Sequence, residues 1–185
     1  MSLKTFLIVA AAGLVWAGGA SAQAPQPAKP VDISRLYTGR WLEVARTPMG
    51  ITKNCEAGAT NYLFTGGDQV LVRDTCEMDA PGGKEKVIEG RGKILDPGTN
   101  AKLRVRYPFF ITWDYWILDH DEAYGWFIAG DPKLKRIFIF TREVPSAAMR
   151  ATLVQRVQAL GYNMAKIEFP QQPPARPAAP PRLKP

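Results

Sequence analysis

Between residues 41 and 141 apolar and polar side chains mostly alternate one by one, the period of a strand with a single buried face. Residues 41–46 open the series after Gly39. Residues 57–64 and 69–75 flank Thr65-Gly66-Gly67-Asp68, a hairpin turn. Residues 86–94 follow Pro81-Gly82-Gly83, and Asp96-Pro97-Gly98-Thr99-Asn100 is a further turn. In 102–107 the alternation is strict, with Leu103, Val105 and Tyr107 on one face and Lys102, Arg104 and Arg106 on the other. Residues 115–118, 124–129 and 136–141 complete eight short strands. Spacing this regular predicts an all-β, antiparallel up-and-down meander, and closing it into a β-barrel removes its edges.

One segment changes period. In 146–160, Met149, Leu153, Val157 and Leu160 recur at helical spacing, with Ser146 to cap the start and Gly161 to end it. A C-terminal α-helix packed outside the barrel is expected, followed by a last short strand at 164–169.

The ends follow other rules. Residues 1–22 carry Lys4, an apolar stretch and then Gly18-Gly19-Ala20-Ser21-Ala22, the pattern of a secretory signal cleaved after Ala22. No cysteine follows the small residues, so a lipid-anchored N-terminus is not expected, and the mature chain is expected to be periplasmic or secreted. Residues 23–30 hold three prolines and 171–185 hold six, so both are expected to be solvated extensions of a domain at 31–170.

The chain's 185 residues fit one domain, and its 46% apolar content with 10% aromatics excludes a wholly disordered chain. The net charge of +7 hints at nucleic acid until it is located. Lys4, Lys29, Arg176, Arg182 and Lys184 lie outside 31–170, which leaves +2 on the domain. So small an excess gives no basic face for nucleic acid; a transient contact of the tail with anionic membrane lipid is the remaining use of the charge. Two cysteines and one histidine, His120, cannot make an ordinary zinc site without carboxylates, and no metal or cofactor is expected.

Three motifs stand in order. Gly39-Arg40-Trp41 resembles the G-x-W motif of lipocalins, Asp119-His120-Asp121-Glu122-Ala123-Tyr124 their middle acidic-aromatic motif, and Thr141-Arg142 their closing motif. The phrase at 32–46, Tyr115-Trp116-Ile117-Leu118 and Gly161-Tyr162-Asn163 are similar to bacterial lipocalins related to apolipoprotein D, over about 31–172. The sequence departs from that pattern at Leu42, where tyrosine is usual, and in lacking the anchoring cysteine. The resemblance implies structural roles for Gly39, Trp41, Asp121, Tyr124 and Arg142, with Arg142 lying over Trp41 as a cation–π lid on the closed end. It also implies that Tyr62, Val70, Val72, Tyr115, Ile117, Phe127 and Phe138 join Leu103, Val105 and Tyr107 as the wall of a ligand cavity. Such a wall suits a fatty acid or lysophospholipid, bound, stored or transported without chemistry.

Cys55 and Cys76 flank the hairpin turn at 65–68. If Phe64 pairs with Gln69 they fall nearly opposite each other, and two cysteines in an exported chain are expected as a disulfide. Other readings stay open. A lipid-modifying enzyme would need a free inward thiol or His120, which as a lone histidine among carboxylates reads as a solvated turn residue; a haem binder would need His120 or a tyrosine. A solid barrel would instead be an interaction platform worked by the Pro-rich tail.

Overall fold

The structure, a computed structural model, describes residues 23–172. The expected signal segment at 1–22 and the tail from 173 onward lie outside the described residues. Eight strands run in chain order: β1 (Thr38–Arg46), β2 (Cys55–Gly66), β3 (Gln69–Met78), β4 (Glu85–Ile94), β5 (Lys102–Arg106), β6 (Thr112–His120), β7 (Trp126–Gly130) and β8 (Ile137–Thr141). Each pairs antiparallel with its neighbour, and β1 returns to β8 to close the barrel. The expected fold is the observed one.

Local chemistry explains where bounds differ. Tyr124 adopts φ +57° and lies before β7, because Asp121 turns the chain there. Its carbonyl accepts from the Tyr124 N–H at 3.1 Å and its carboxylate from the Trp126 N–H at 3.0 Å. The strand expected at 164–169 is instead a 3-10 turn (Met164–Lys166) with one bridge, Arg46 to Glu168. Asn163 caps that turn, and a sheet already closed through β1 and β8 offers no free edge to extend.

Two cores divide the barrel wall. The inner one holds Trp41, Tyr62, Val70, Leu103, Phe127 and Phe138. A short helix, α1 (Ile33–Leu36), adds Leu36 to it, capped by Asp32, whose carboxylate accepts from Ser34 N–H at 2.9 Å and Arg35 N–H at 3.2 Å. The outer core forms where α2 (Ala147–Ala159) lays Leu153 and Val157 against Val44, Ile128 and Ile139. Ser146 caps α2 as expected, accepting from Met149 N–H. Met149 itself is 41% exposed, so the contact is made by the middle and last turns rather than the whole apolar stripe.

Residues 23–30 correct the expectation of a solvated extension. Ala24 is buried and its N–H donates to the Pro132 carbonyl at 3.0 Å. Lys29 bonds the His120 carbonyl at 2.9 Å and pairs with Asp119 at 2.8 Å. A proline-rich backbone has few N–H donors to satisfy, so it can lie on a surface without a ladder. At the other end Gln171 and Gln172 also bond the barrel, through Glu56 and the Glu43 carbonyl.

Cys55 and Cys76 form a disulfide with Cα atoms 5.5 Å apart. The register is not the expected one: Phe64 pairs with Val70 rather than Gln69, because Gly66 and Gly67 take positive φ and shift the turn. Cys55 faces Met78 and Cys76 faces Gly58, and a bulge between Cys55 and Ala57 brings the sulfurs together. Cross-linking a loop of 21 residues is worth about 3 kcal/mol in the chain-entropy account. Reduction, or replacement of both cysteines by serine, is expected to lower the melting temperature by roughly 10 °C, read by circular dichroism with and without reductant.

Candidate ligand-binding site

The closed end is built first. Trp41 is fully buried, meets Phe127 edge-on at 4.7 Å and donates from Nε1 to the Leu36 carbonyl at 2.9 Å. Arg142 places its guanidinium 3.5 Å from the Trp41 ring centre. The same guanidinium donates to the carbonyls of Thr38 and Arg40 at 2.9 Å and of Arg35 at 2.7 Å. Burial lowers the Arg142 pKa to about 10. Gly39 sits at φ +68°, and a Cβ there would stand 3.3 Å from Arg142 Nη1, so glycine serves both the backbone and the close approach. Tyr124 extends the seal: its hydroxyl accepts from the Asp32 N–H at 2.6 Å, and its ring stacks on His120 at 4.7 Å.

His120 is therefore not the solvated turn residue expected. It is 3% exposed at the end of β6, with its ring nitrogens 3.0 Å from the Asp121 carbonyl and 3.1 Å from that of Pro30. The N-terminal segment laid across it excludes water. His120 does not line the cavity, and both cysteines are bonded to each other. Among the described residues no group of three or more His, Cys, Asp or Glu is placed to hold a metal.

Above the floor the barrel is hollow. A cavity of about 660 Å³ extends to the β1–β2 and β5–β6 connections, where Met49, Ile51, Pro108, Phe109 and Ile111 form its mouth. Of the ten residues expected on the wall, Tyr62, Val72, Val105, Tyr107, Tyr115 and Phe138 line it. Val70, Leu103, Ile117 and Phe127 also face inward but pack into the solid floor with Trp41. Alternation assigns a face, not a height along the barrel axis. The wall also includes Ile88, Trp113 and Phe140, which the sequence reading did not name.

The wall is not wholly apolar, and its polar members are largely unforeseen. Glu43 and Arg46 both face the lumen, because a bulge between Glu43 and Ala45 turns residues three apart to the same side. Their side chains bond at 2.7 Å, and Arg46 also reaches the Cys55 carbonyl and Glu168. Gly58 leaves the room: a Cβ there would stand 2.9 Å from Glu43 Oε1. On β3, Asp74 accepts from Thr60 Oγ1 at 2.7 Å and from the Tyr107 hydroxyl at 2.6 Å. Burial raises the Glu43 carboxyl to about 7, with Arg46 opposing, and raises that of Asp74 against its two donors. Burial also raises the hydroxyls of Tyr62, Tyr107 and Tyr115.

A raised carboxyl in the folded state binds protons that the unfolded chain has released, so it loses stability as pH rises. For Glu43 that loss runs from its ordinary value of 4.5 to about 7. Glu43→Gln is expected to become progressively more stable relative to the parent across this window, read as the difference between their melting temperatures at stepped pH.

The chain matches the sequence model of the lipocalin-like domain over residues 31–172. Temperature-induced lipocalin-1 of Arabidopsis thaliana is 31% identical over 150 residues, covering 75% of this chain and 78% of that protein. The structure of insecticyanin from the tobacco hornworm Manduca sexta is similar at a TM-score of 0.63 and 15% identity, covering 79% of this chain and 83% of that one. The amine binding protein of Rhodnius prolixus, solved as its tryptamine complex, is similar at 0.60 and 10% identity, covering 80% and 86%. At such identities the two structures share the fold alone with this chain.

Proposed function

The chain belongs to the family of lipocalin-like domains, and from that premise we propose that it binds, stores or transports a small hydrophobic molecule in its barrel. The observation that carries this is the hollow interior of about 660 Å³, walled by Val72, Val105, Trp113, Tyr115, Phe138 and Phe140. Transfer of apolar surface from water into that cup supplies the driving force. Ten buried methylenes contribute about 8 kcal/mol gross, which ordering terms reduce, so affinity is bounded near the micromolar range. The acyl-chain class, fatty acid or lysophospholipid, is our reading of the tail of the guest. It rests on the phrases at 32–46 and 115–118, on whose resemblance we also group the chain with the bacterial lipocalins related to apolipoprotein D.

The protein acts on this reading as a carrier and not as an enzyme. We take it as exported, on the small-x-small triplet ending at Ala22. Contact with membrane is transient and made by the mouth. Phe109 and Phe110 stand exposed in the β5–β6 connection. An up-and-down order brings the β1–β2, β3–β4 and β7–β8 connections to the same end, with Lys53, Lys84, Lys133, Lys135 and Arg136 against Asp79 and Asp131. An apolar tip ringed by cations fits an anionic lipid surface.

Titration with the fluorescent apolar probe N-phenyl-1-naphthylamine tests the carrier reading. Saturable binding, competed by long-chain lipids and kept on deletion of 173–185, is expected. No binding at the highest soluble concentration would return the barrel to a platform.

A further inference from the structure

The carrier reading, on which this inference rests, leaves the polar end of the guest undefined. Two carboxylates, Glu43 and Asp74, share the lumen. The guanidinium beside them is engaged: Arg46 donates from Nη1 to Glu43 at 2.7 Å, from Nη2 to the Cys55 carbonyl at 2.6 Å and from Nε to Glu168 at 2.5 Å. The other charged lining residues, Lys86 and Glu89, are exposed at the rim and opposite in sign. A guest's carboxylate deep in the cup meets like charge, and among the described residues the lining cation left unpaired, Lys86, stands at the exposed rim.

Acceptors, by contrast, are available. Glu43 Oε2 accepts no hydrogen bond among the described residues, and each Asp74 oxygen accepts one where its lone pairs allow two. Tyr62 lines the cavity, is 6% exposed, and its hydroxyl makes no hydrogen bond among the described residues. Aromatic rings continue along the wall, Tyr107 to Trp113 at 5.5 Å, Trp113 to Tyr115 at 6.2 Å and Tyr115 to Phe138 at 5.6 Å. Their faces carry partial negative charge and attract cations.

We propose that the cavity selects apolar molecules that end in an amine, the hydrocarbon body filling the aromatic cup and the ammonium donating to Glu43, Asp74 and the Tyr62 oxygen. Of the acyl-chain lipids, the free fatty acid is then the disfavoured member. The groups around Glu43 are Arg46 on β1, Asp74 on β3, Tyr115 on β6 and Glu168 beyond α2, with Phe140 opposite it on β8. An ammonium adds the positive charge this carboxylate-rich set lacks. Amine affinity accordingly rises as Glu43 ionises, with pH increasing through about 7.

The test is displacement of N-phenyl-1-naphthylamine from the purified protein by dodecylamine, dodecan-1-ol and dodecanoate, at about pH 8 and below micellar concentrations. Dodecylamine is expected to displace the probe at about tenfold lower concentration than dodecanoate, with the alcohol between them. In Glu43→Gln/Asp74→Asn the advantage of the amine over the alcohol is expected to shrink to within about threefold, with circular dichroism and the melting transition of the double variant reporting an intact barrel. Dodecanoate equal to or better than dodecylamine overturns the proposal, as does an amine preference that survives the double substitution. Failure of all three to displace the probe, or of the probe to bind, overturns the carrier reading and this inference with it.

Discussion

Trp41→Ala is expected to destabilise the barrel by about 3–5 kcal/mol, the usual range for emptying a buried aromatic site, and to lower the melting temperature by roughly 10–15 °C. Trp41 is fully buried, and three contacts end with it: the edge of its ring on Phe127, its Nε1 bond to Leu36 and its face under Arg142. The last makes the loss larger than volume alone. Arg142 keeps its three carbonyl partners but loses the ring that shields them. Arg142→Ala removes the cation–π contact, worth about 1–2 kcal/mol when desolvated, and frees those carbonyls. Arg142→Lys restores the charge but not the planar fork that spans Thr38, Arg40 and Arg35. Below their melting temperatures all three variants should bind the apolar probe within about threefold of the parent, because neither residue lines the cavity. Weakened binding at unchanged melting temperature in Arg142→Ala would contradict this division between floor and cup.

The floor and the cup differ in how far the alternation reveals them. Period two places Val70 and Val72 inward, and two steps on it places Asp74 inward as well. The same step leads from Tyr62 to Thr60, from Tyr115 to Trp113 and from Phe138 to Phe140. Those four were within reach of the pattern; an apolar criterion stopped short of Asp74 and Thr60. Glu43, two steps on from the inward Trp41, was within reach too and was passed over for the same reason; Arg46 was not. Residues three apart on a regular strand point to opposite faces, and only the bulge before Ala45 turns Arg46 into the lumen beside Glu43. The division of the inward residues between floor and wall is equally hidden, since it depends on strand stagger around the closed barrel. His120 shows a third kind of limit. Its burial comes from residues 23–30 crossing the barrel, and a proline-rich stretch carries no periodicity from which such a contact could be read.

The mouth carries the second large effect, with two opposite signs in one variant. Phe109 and Phe110 both take φ +60° while almost wholly exposed. A bulky residue in the left-handed region costs about 1–3 kcal/mol, and exposure of the rings returns nothing from packing. In water this pair only destabilises. On the proposed membrane contact the same two rings would enter the acyl boundary, each contributing about 1.5–3 kcal/mol on full burial. Replacing them by residues that accept positive φ, Phe109→Asn with Phe110→Gly, relieves the strain and removes the proposed anchor together. The melting temperature is expected to rise by a few degrees, while partitioning onto anionic phospholipid vesicles, read by co-sedimentation, falls about 100-fold. Probe binding in the absence of vesicles tests the cup, which the other mouth residues, Met49, Ile51 and Ile111, still close. Vesicle binding that survives in the stabilised variant would assign membrane contact to the lysines of the neighbouring connections alone, and would leave the strained pair without that role.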